Sequence, residues 1–131
     1  MLAGASIIGF VPVSDLAVAE EFFGATLGLP VIGNDGFAVA FTAPGGAMIR
    51  WALTPDAAHQ PFTILGWEVE DIHASARELI ARQVKPIVYP YFKQDEDGVW
   101  TSPNDTKVLW FHDPDGNVLS LSQHANKKAG E

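Results

Sequence analysis

The chain has 131 residues, no cysteine, and a formal net charge of −8 from 16 Asp plus Glu against 8 Lys plus Arg. Its length fits one globular domain, and 47% hydrophobic residues can supply a core. The acidic balance argues against a nucleic-acid partner, because phosphates need a basic face. Disulfides are excluded, and no apolar run is long enough to span a bilayer, so we expect a cytoplasmic protein without membrane association.

The first half of the sequence predicts a strand, a helix and three more strands. Residues 7–13 are an apolar run, and Ser14 or Asp15 is placed to cap a helix that ends at Gly28 and Pro30. Turn-forming Asn-Asp-Gly and Pro-Gly-Gly separate the following strands, predicted at 31–32, 37–41 and 47–53. We assign this first βαβββ unit to residues 5–54, followed by a linker at 55–61.

The second half repeats this order. A strand at 62–69 leads to a helix capped by Asp71, and a further strand is predicted at 86–91. The sequence Asp-Pro-Asp-Gly-Asn predicts a hairpin between strands at 107–112 and 118–122. The second unit is assigned to 62–124, and the polar residues 125–131 to a frayed tail.

The repeat has a gap that locates an insertion. Asp15 and Asp71 are 56 residues apart, whereas Pro44 and Pro114 are 70 apart, so the second half carries about 14 extra residues. This segment, about 89–105, is aromatic at both ends and acidic between, and loops of this length are usually functional. We predict a flap over a pocket; protection of a sheet edge and a dimer contact are the alternatives.

Strand alternation divides the side chains between two faces of each sheet. The face under the helices is predicted to hold Val11, Val13, Phe41, Ile49, Trp51, Leu65, Trp67, Val69, Leu109, Leu119 and Leu121. The opposite face is mixed and partly charged, as expected for a cavity wall, and holds Ile8, Phe10, Met48, Arg50, Ile64, Gly66, Glu68, Trp110, His112, Ser120 and Ser122.

Three segments resemble a known superfamily: 12–31 (PVSDLAVAEEFFGATLGLPV), 65–84 (LGWEVEDIHASARELIARQV) and 108–123 (VLWFHDPDGNVLSLSQ). They are similar to the vicinal oxygen chelate superfamily, which includes glyoxalase I, extradiol dioxygenases and bleomycin-resistance proteins. The resemblance implies an α+β fold in which two βαβββ units form an incomplete barrel around a cavity. It also implies a homodimer.

Metal-dependent members of that superfamily use four ligands, two from each unit. The resemblance places those positions at Ile8, Arg50, Ile64 and Ser120. None is a usual ligand, and Arg50 would repel a divalent cation. We therefore expect the inherited metal site to be lost, with no metal ligand and no cofactor.

Three polar residues of the cavity face are candidates for chemistry. Arg50 would anchor a carboxylate, phosphate or enolate, or would form a salt bridge to Glu68. Glu68 would be a general base, or be paired with Arg50 or a backbone group. His112 would be an acid or base, or be held by a hydrogen bond at a strand end. We expect His59, His73, His124 and the carboxylates of residues 95–97 to be solvated.

The remaining candidates are mainly aromatic and apolar. A flat ligand would rest on a floor made by Phe10, Met48 and Trp110, unless the cavity has collapsed and these residues fill it. Tyr91 and Trp100 would close over it from the flap. The predicted ligand-binding set is Phe10, Met48, Arg50, Tyr91, Trp100, Trp110 and Ser120.

Two functional hypotheses follow. The first is a metal-independent protein that binds a small anionic or aromatic molecule in the cavity. The second is a metal-independent isomerase or lyase, with Glu68 or His112 as base and Arg50 stabilising an enolate. A lesser alternative is a relocated metal held by His112 and Glu68.

Overall fold

The computed structural model describes residues 1–43 and 45–125. The chain divides into two compact units, residues 1–59 and 60–131, and each unit is described separately. Each contains a four-stranded mixed sheet and one α-helix in the order βαβββ. The predicted α+β class with two βαβββ units is confirmed.

The first unit is built from β1 (Ile8–Val13), α1 (Leu16–Glu20), β2 (Gly33–Asn34), β3 (Ala38–Thr42) and β4 (Met48–Leu53). The strand order is β1-β4-β3-β2. Strands β1 and β4 are parallel, and the other neighbours are antiparallel. A π-helical segment, Glu21–Thr26, continues directly from α1.

The second unit is built from β5 (Thr63–Glu68), α2 (Ile72–Ala81), β6 (Trp100–Thr101), β7 (Lys107–His112) and β8 (Val118–Gln123). The strand order is β5-β8-β7-β6, with the same parallel and antiparallel pattern. Strands β4 and β8 begin at Met48 and Val118 and both have six residues, so the offset of 70 holds for the closing strands.

Equivalent aspartates begin the two helices. Asp15 has extended backbone, and its carboxylate accepts hydrogen bonds from the N–H groups of Ala17 and Val18. Asp71 has similar backbone angles and accepts from the N–H of Ala74. The first helical stretch ends at Leu27. The next residue, Gly28, has a φ of +78°, a conformation that favours glycine. The predicted caps are confirmed, with Asp15 and not Ser14 in the capping position.

The helix-facing sides of the sheets form the core of each unit. Trp51 is fully buried between the rings of Phe23 and Phe41, with centroid separations of 4.6 and 4.9 Å. In the second unit, Leu109 and Leu119 are buried with Ile72 of α2. The predicted core residues Val11, Val13, Phe41, Trp51, Leu109, Leu119 and Leu121 are buried, whereas Ile49, Leu65, Trp67 and Val69 are half-buried.

Two predicted strands lie elsewhere. The strand expected at 31–32 is β2 at Gly33–Asn34, two residues later. Within the described residues, 86–91 contains no strand, and the inserted segment supplies the edge strand β6. Pro86 and Pro90 have no N–H to donate to a ladder, so only Ile87 bonds to β7, through Trp110 O at 2.7 Å.

Two other expectations differ from the structure or fall outside it. Helical periodicity predicts that Ile80 of α2 is buried with Ile72, Ala76 and Leu79, but Ile80 is exposed and Val84 beyond the helix end is buried. Residues 126–131 of the predicted tail lie outside the described residues. Among the described residues, no helix is long and apolar enough to cross a membrane. A cytoplasmic location stays a prediction.

Candidate functional site

Arg50 forms an ion pair with a residue of the turn between β2 and β3. It lies on β4, opposite Phe10 of β1 and Ala40 of β3. Its Nη2 donates to Asp35 Oδ2 at 3.3 Å, and both side chains remain partly exposed. The small side chain of Ala40 leaves space for the guanidinium to reach the β2–β3 turn. The salt-bridge partner expected from the sequence was Glu68, and Asp35 was not among the predicted site residues.

Backbone hydrogen bonds orient the Asp35 side chain for this pairing. Its Oδ1 accepts hydrogen bonds from the N–H groups of Phe37 and Ala38, both at 2.9 Å. These backbone hydrogen bonds, and to a smaller extent the interaction with Arg50, lower the pKa of the Asp35 carboxyl below its usual value. The carboxylate is therefore ionised and oriented towards Arg50.

The remaining positions that the resemblance marks as metal ligands also have non-ligand environments. Ile8 is exposed on the edge strand β1, and Ile64 is half-buried on β5. Ser120 is buried on β8 against Gly66, where an added Cβ would lie 2.7 Å from Ser120 Oγ. Gly66 is therefore required for the close approach of Ser120 to β5.

The two sheets carry complementary side chains at equivalent positions. In the first sheet one cross-strand row is Phe10, Arg50 and Ala40. In the second sheet the row with the same offsets is Gly66, Ser120 and Trp110. The bulky polar residue is on the closing strand of the first unit, and the bulky aromatic residue is on the preceding strand of the second. The first row thus combines a charge with the ring of Phe10, whereas the second row has an aromatic ring and no charge.

Trp110 belongs to an aromatic cluster on the second sheet. The cluster, called the aromatic wall below, comprises Tyr89, Tyr91, Phe92, Trp100 and Trp110. Phe92 stacks on Trp110 with centroids 5.0 Å apart and lies 4.7 Å from Trp100. Tyr89 stacks against Tyr91 at 5.4 Å and meets Trp110 edge to face at 5.3 Å. Tyr91, Trp100 and Trp110 were predicted as ligand-binding residues, whereas Phe92 and Tyr89 were not.

The wall is partly buried and open at one end. Tyr91 is 71% exposed, whereas the other four rings are half-buried. Burial, followed by the neighbouring Tyr91, raises the pKa of the Tyr89 hydroxyl. The Tyr89 hydroxyl is therefore neutral at physiological pH, and Tyr91 is the most exposed ring of the wall.

The inserted segment is held in one conformation by its own polar groups. Gln94 accepts from the N–H of Tyr89 at 2.8 Å and donates to the carbonyls of Ile87 and Gly98. Gly98 has φ of +82°, and a Cβ there would lie 2.5 Å from Pro86 Cβ. The segment is an ordered support for the aromatic wall, and a role as a flap stays a prediction.

Glu68 is paired with His124 at the end of the second sheet. Its Oε1 lies 2.6 Å from His124 Nδ1, and its Oε2 accepts from the His124 backbone N–H at 2.9 Å. Lining residues Glu70, Asp105 and Lys107 help to form a pocket of about 700 Å³ beside this pair. His124 is 58% exposed, so it is in contact with solvent as expected, but it also pairs with Glu68. Strand alternation beyond Ser122 would have placed it on the same face as Glu68.

His112 lies too far from Glu68 for the two to share a site. Its Nδ1 is 3.2 Å from Gly116 O, the strand-end hydrogen bond considered above. Glu68 pairs across the sheet with Ser122, and His112 with Val118. The two residues are therefore separated by about 13 Å along the strands at about 3.3 Å per residue. One ion or one substrate atom cannot contact both.

A further cluster connects α2 with the inserted segment. His73 Nε2 lies 2.9 Å from Asp95 Oδ2, and Arg77 Nη2 lies 3.5 Å from Asp97 Oδ2. His73 and Asp95 remain 33% and 44% exposed, as expected for solvated groups, but they also pair with each other because the segment folds back on the helix. No local sequence pattern marks this contact between residues 22 positions apart.

No protein-family model matches the sequence. No curated protein matches it. Solved structures match along nearly the whole chain. A glyoxalase/bleomycin resistance protein/dioxygenase superfamily member from Sphaerobacter thermophilus has a TM-score of 0.71 at 21% identity, covering 95% of this chain and 100% of that one. A glyoxalase/bleomycin resistance protein/dioxygenase from Alicyclobacillus acidocaldarius has a TM-score of 0.68 at 14% identity, covering 94% and 93%.

A lactoylglutathione lyase from Agrobacterium tumefaciens is also similar, with a TM-score of 0.67 at 16% identity and coverage of 92% of this chain and 93% of that one. The fold of this chain is therefore that of the glyoxalase/bleomycin resistance protein/dioxygenase superfamily. The sequence resemblance to the vicinal oxygen chelate superfamily is confirmed at the level of the fold.

Proposed function

We propose that the protein binds a small anionic or aromatic molecule without using a metal ion. The observation that supports this most directly is the aromatic wall, which ends in the exposed ring of Tyr91. An aromatic pair contributes about 0.5–1.5 kcal/mol beyond its buried area, so an open ring beside a stacked group favours a flat ligand. Trp100 and Trp110 extend the same surface.

Arg50 is the proposed contact for an anionic group. Its guanidinium can hold a carboxylate through two parallel hydrogen bonds. The Asp35 contact at 3.3 Å joins partly exposed groups, and such pairs contribute about 0–1 kcal/mol. An incoming carboxylate or phosphate can therefore replace or join Asp35 at small cost.

The four positions that correspond to the superfamily's metal ligands carry side chains that do not suit a metal ion. Two of the four positions, Ile8 and Ile64, have hydrocarbon side chains, and Arg50 is cationic and ion-paired. Ser120 would be a single neutral ligand, while a zinc-like ion needs several imidazole or carboxylate donors. No step of the proposed function passes through a metal at these positions.

Binding is tested with matched pairs of aromatic carboxylic acids and their amides, by thermal shift and calorimetry. We expect the acids to bind, Arg50→Gln to weaken the acids more than the amides, and Trp110→Phe to weaken both. Trp67→Phe is the matched control, because Trp67 stacks on Phe111 on the helix-facing side. Stabilisation by divalent metals with no binding of any acid or amide would reject the proposal, as would equal effects of both tryptophan variants.

We also propose that the chain forms a homodimer. Strand β1 is at the edge of its sheet and exposes Ile8 and Phe10, and solvent-exposed side chains of this kind favour burial against a second chain. Light scattering after gel filtration tests this. A dimer that dissociates in Phe10→Asp is expected, and a monomeric wild type at high concentration would overturn it.

The pairing of Glu68 with His124 favours a second candidate function, a metal-independent isomerase or lyase. A carboxylate oriented by an imidazole at 2.6 Å and bordering a pocket can remove a proton next to a carbonyl group. In this candidate Glu68 is the base and His124 orients it, whereas His112, the alternative base, lies about 13 Å away along the strands at about 3.3 Å per residue.

Exchange of the α-protons of small aromatic 2-oxo acids in D₂O, followed by NMR, tests the second candidate. We expect exchange above the buffer rate that Glu68→Gln abolishes, while His112→Gln retains it. Exchange that is absent, or equal in wild type and Glu68→Gln, would reject this candidate and leave the binding proposal to its own test.

A further inference from the structure

We propose that His73, Asp95 and Asp97 form a binding site for a transition-metal ion of the zinc class. Their ligand atoms, one imidazole nitrogen and two carboxylate oxygens, all lie within 4.8 Å of one another. This site uses none of the four positions marked by the superfamily resemblance. It also departs from the sequence-based expectation that the protein has no metal ligands.

The donor set suits zinc. Zinc prefers imidazole nitrogen and carboxylate oxygen at about 2.0–2.2 Å, with three protein ligands and a water completing a tetrahedron. Ligand atoms in such a site are about 3.4 Å apart by the same geometry. His73 Nε2 and Asp95 Oδ2 are 2.9 Å apart, close to that spacing, and rotation of Asp97 brings in the third donor.

The two elements hold the donors in place before any ion binds. His73 lies in the first turn of α2. Asp95 Oδ1 accepts from the backbone N–H groups of Asp97 and Val99, both at 2.9 Å, which leaves Oδ2 directed at His73. Val99 is buried, so the backbone that positions Asp95 is fixed.

The charge of the cluster also favours a cation. Asp95 and Asp97 place two carboxylates beside the imidazole of His73. Asp97 is 14% exposed and has a 3.5 Å contact with Arg77, which is 68% exposed. A flexible, solvated arginine can move away when a metal ion arrives.

Calorimetry with Zn²⁺ on the full chain, prepared without a histidine tag, tests the site. We expect one ion to bind per chain. His73→Gln and Asp97→Asn should each weaken binding by about tenfold or more, because loss of a residue that only supports a ligand already has an effect of that size. Glu96→Gln is the matched control, since it removes the same charge from the same loop without removing a proposed ligand. Its effect should be below about threefold.

Arg77→Gln gives an independent check, because it keeps every ligand. Removing the competing cation frees Asp97, so Zn²⁺ should bind more tightly than to wild type. The visible spectrum of Co²⁺ in place of Zn²⁺ should show tetrahedral coordination. Absence of zinc binding, equal binding by His73→Gln and wild type, or weaker binding by Arg77→Gln would each overturn the proposal.

Discussion

Phe92 and Trp110 lie face to face, with ring planes 2° apart and centroids separated by 5.0 Å. The first ring comes from the inserted segment and the second from β7. One face of Trp110 is therefore covered by the segment that distinguishes the second unit from the first. Any flat ligand that stacks on this tryptophan must use its remaining surface or displace Phe92.

Replacing Phe92 by alanine is expected to uncover Trp110. Tryptophan emission should shift to longer wavelength and become more accessible to acrylamide, because water reaches the indole. The free energy of unfolding should fall by about 1–3 kcal/mol, less than for a fully buried ring. Phe37→Ala is the control, since Phe37 is largely exposed. Unchanged emission in Phe92→Ala would contradict the observed stacking.

Gly98→Ala and Gly36→Ala separate the effect of a clash from that of backbone strain. Both glycines have positive φ, 82° and 86°, but only at Gly98 would a Cβ meet another residue. Gly36→Ala should cost about 1 kcal/mol, and Gly98→Ala about 3 kcal/mol or more because it adds overpacking against Pro86. Urea unfolding measures the free energy of unfolding of both variants. Equal losses of stability would show that Pro86 can move away from the new Cβ at little cost.

Gln94→Ala removes three hydrogen bonds to the backbone of Ile87, Tyr89 and Gly98. Groups left without partners in this half-buried position should cost about 2–3 kcal/mol. Amide hydrogen exchange should accelerate in residues 87–99 and not in β3 or β4. Gln60→Ala, at an exposed position, should leave exchange unchanged. Uniform acceleration through the chain would show that Gln94 does not act locally.

Asp35 should contribute stability that depends on pH. Its folded-state pKa is lowered, first by the N–H groups of Phe37 and Ala38 and further by Arg50. The contribution is therefore present above the unfolded value of 3.8 and is lost as the pH falls through the folded value. The stability difference between wild type and Asp35→Asn should narrow over this acid range in thermal unfolding. A constant difference would rule out the contribution.

Asp113 should behave in the opposite sense. Burial raises its folded-state pKa, despite two hydrogen bonds from Asn117 at 2.8 Å. Wild type should become less stable relative to Asp113→Asn as the pH rises from the unfolded value of 3.8 through the folded value. NMR titration of the Asp113 carboxyl in the native state checks the direction independently. A midpoint below 3.8 would contradict it.

Much of the fold could be predicted because its signals are local. Asp15 and Asp71 cap helices through side-chain bonds that reach only two or three residues. The repeat offset then placed β4 and β8, which carry the equivalent positions of Arg50 and Ser120. Strand alternation assigned Trp51 to the core and Trp110 to the opposite face.

The partners of the charged residues could not be predicted in the same way. The Asp35–Arg50 contact depends on β2, which pairs two residues later along the chain than predicted. The Asp95–His73 contact forms because the inserted segment folds back on α2. The prolines at 86 and 90 shift the edge strand to Trp100–Thr101, a choice that depends on backbone donors missing from the ladder. Contacts of this kind follow from register and loop path, which local patterns do not fix.

The inserted segment has one more consequence for engineering. Gln94 binds only backbone groups between Ile87 and Gly98, and Asp95 binds the amides of Asp97 and Val99. Its shape is thus set partly by hydrogen bonds within its own sequence and partly by contacts with α2 and β7. A graft of this stretch between the helix and hairpin of a related scaffold would therefore also need the partners His73, Arg77 and Trp110 on that scaffold.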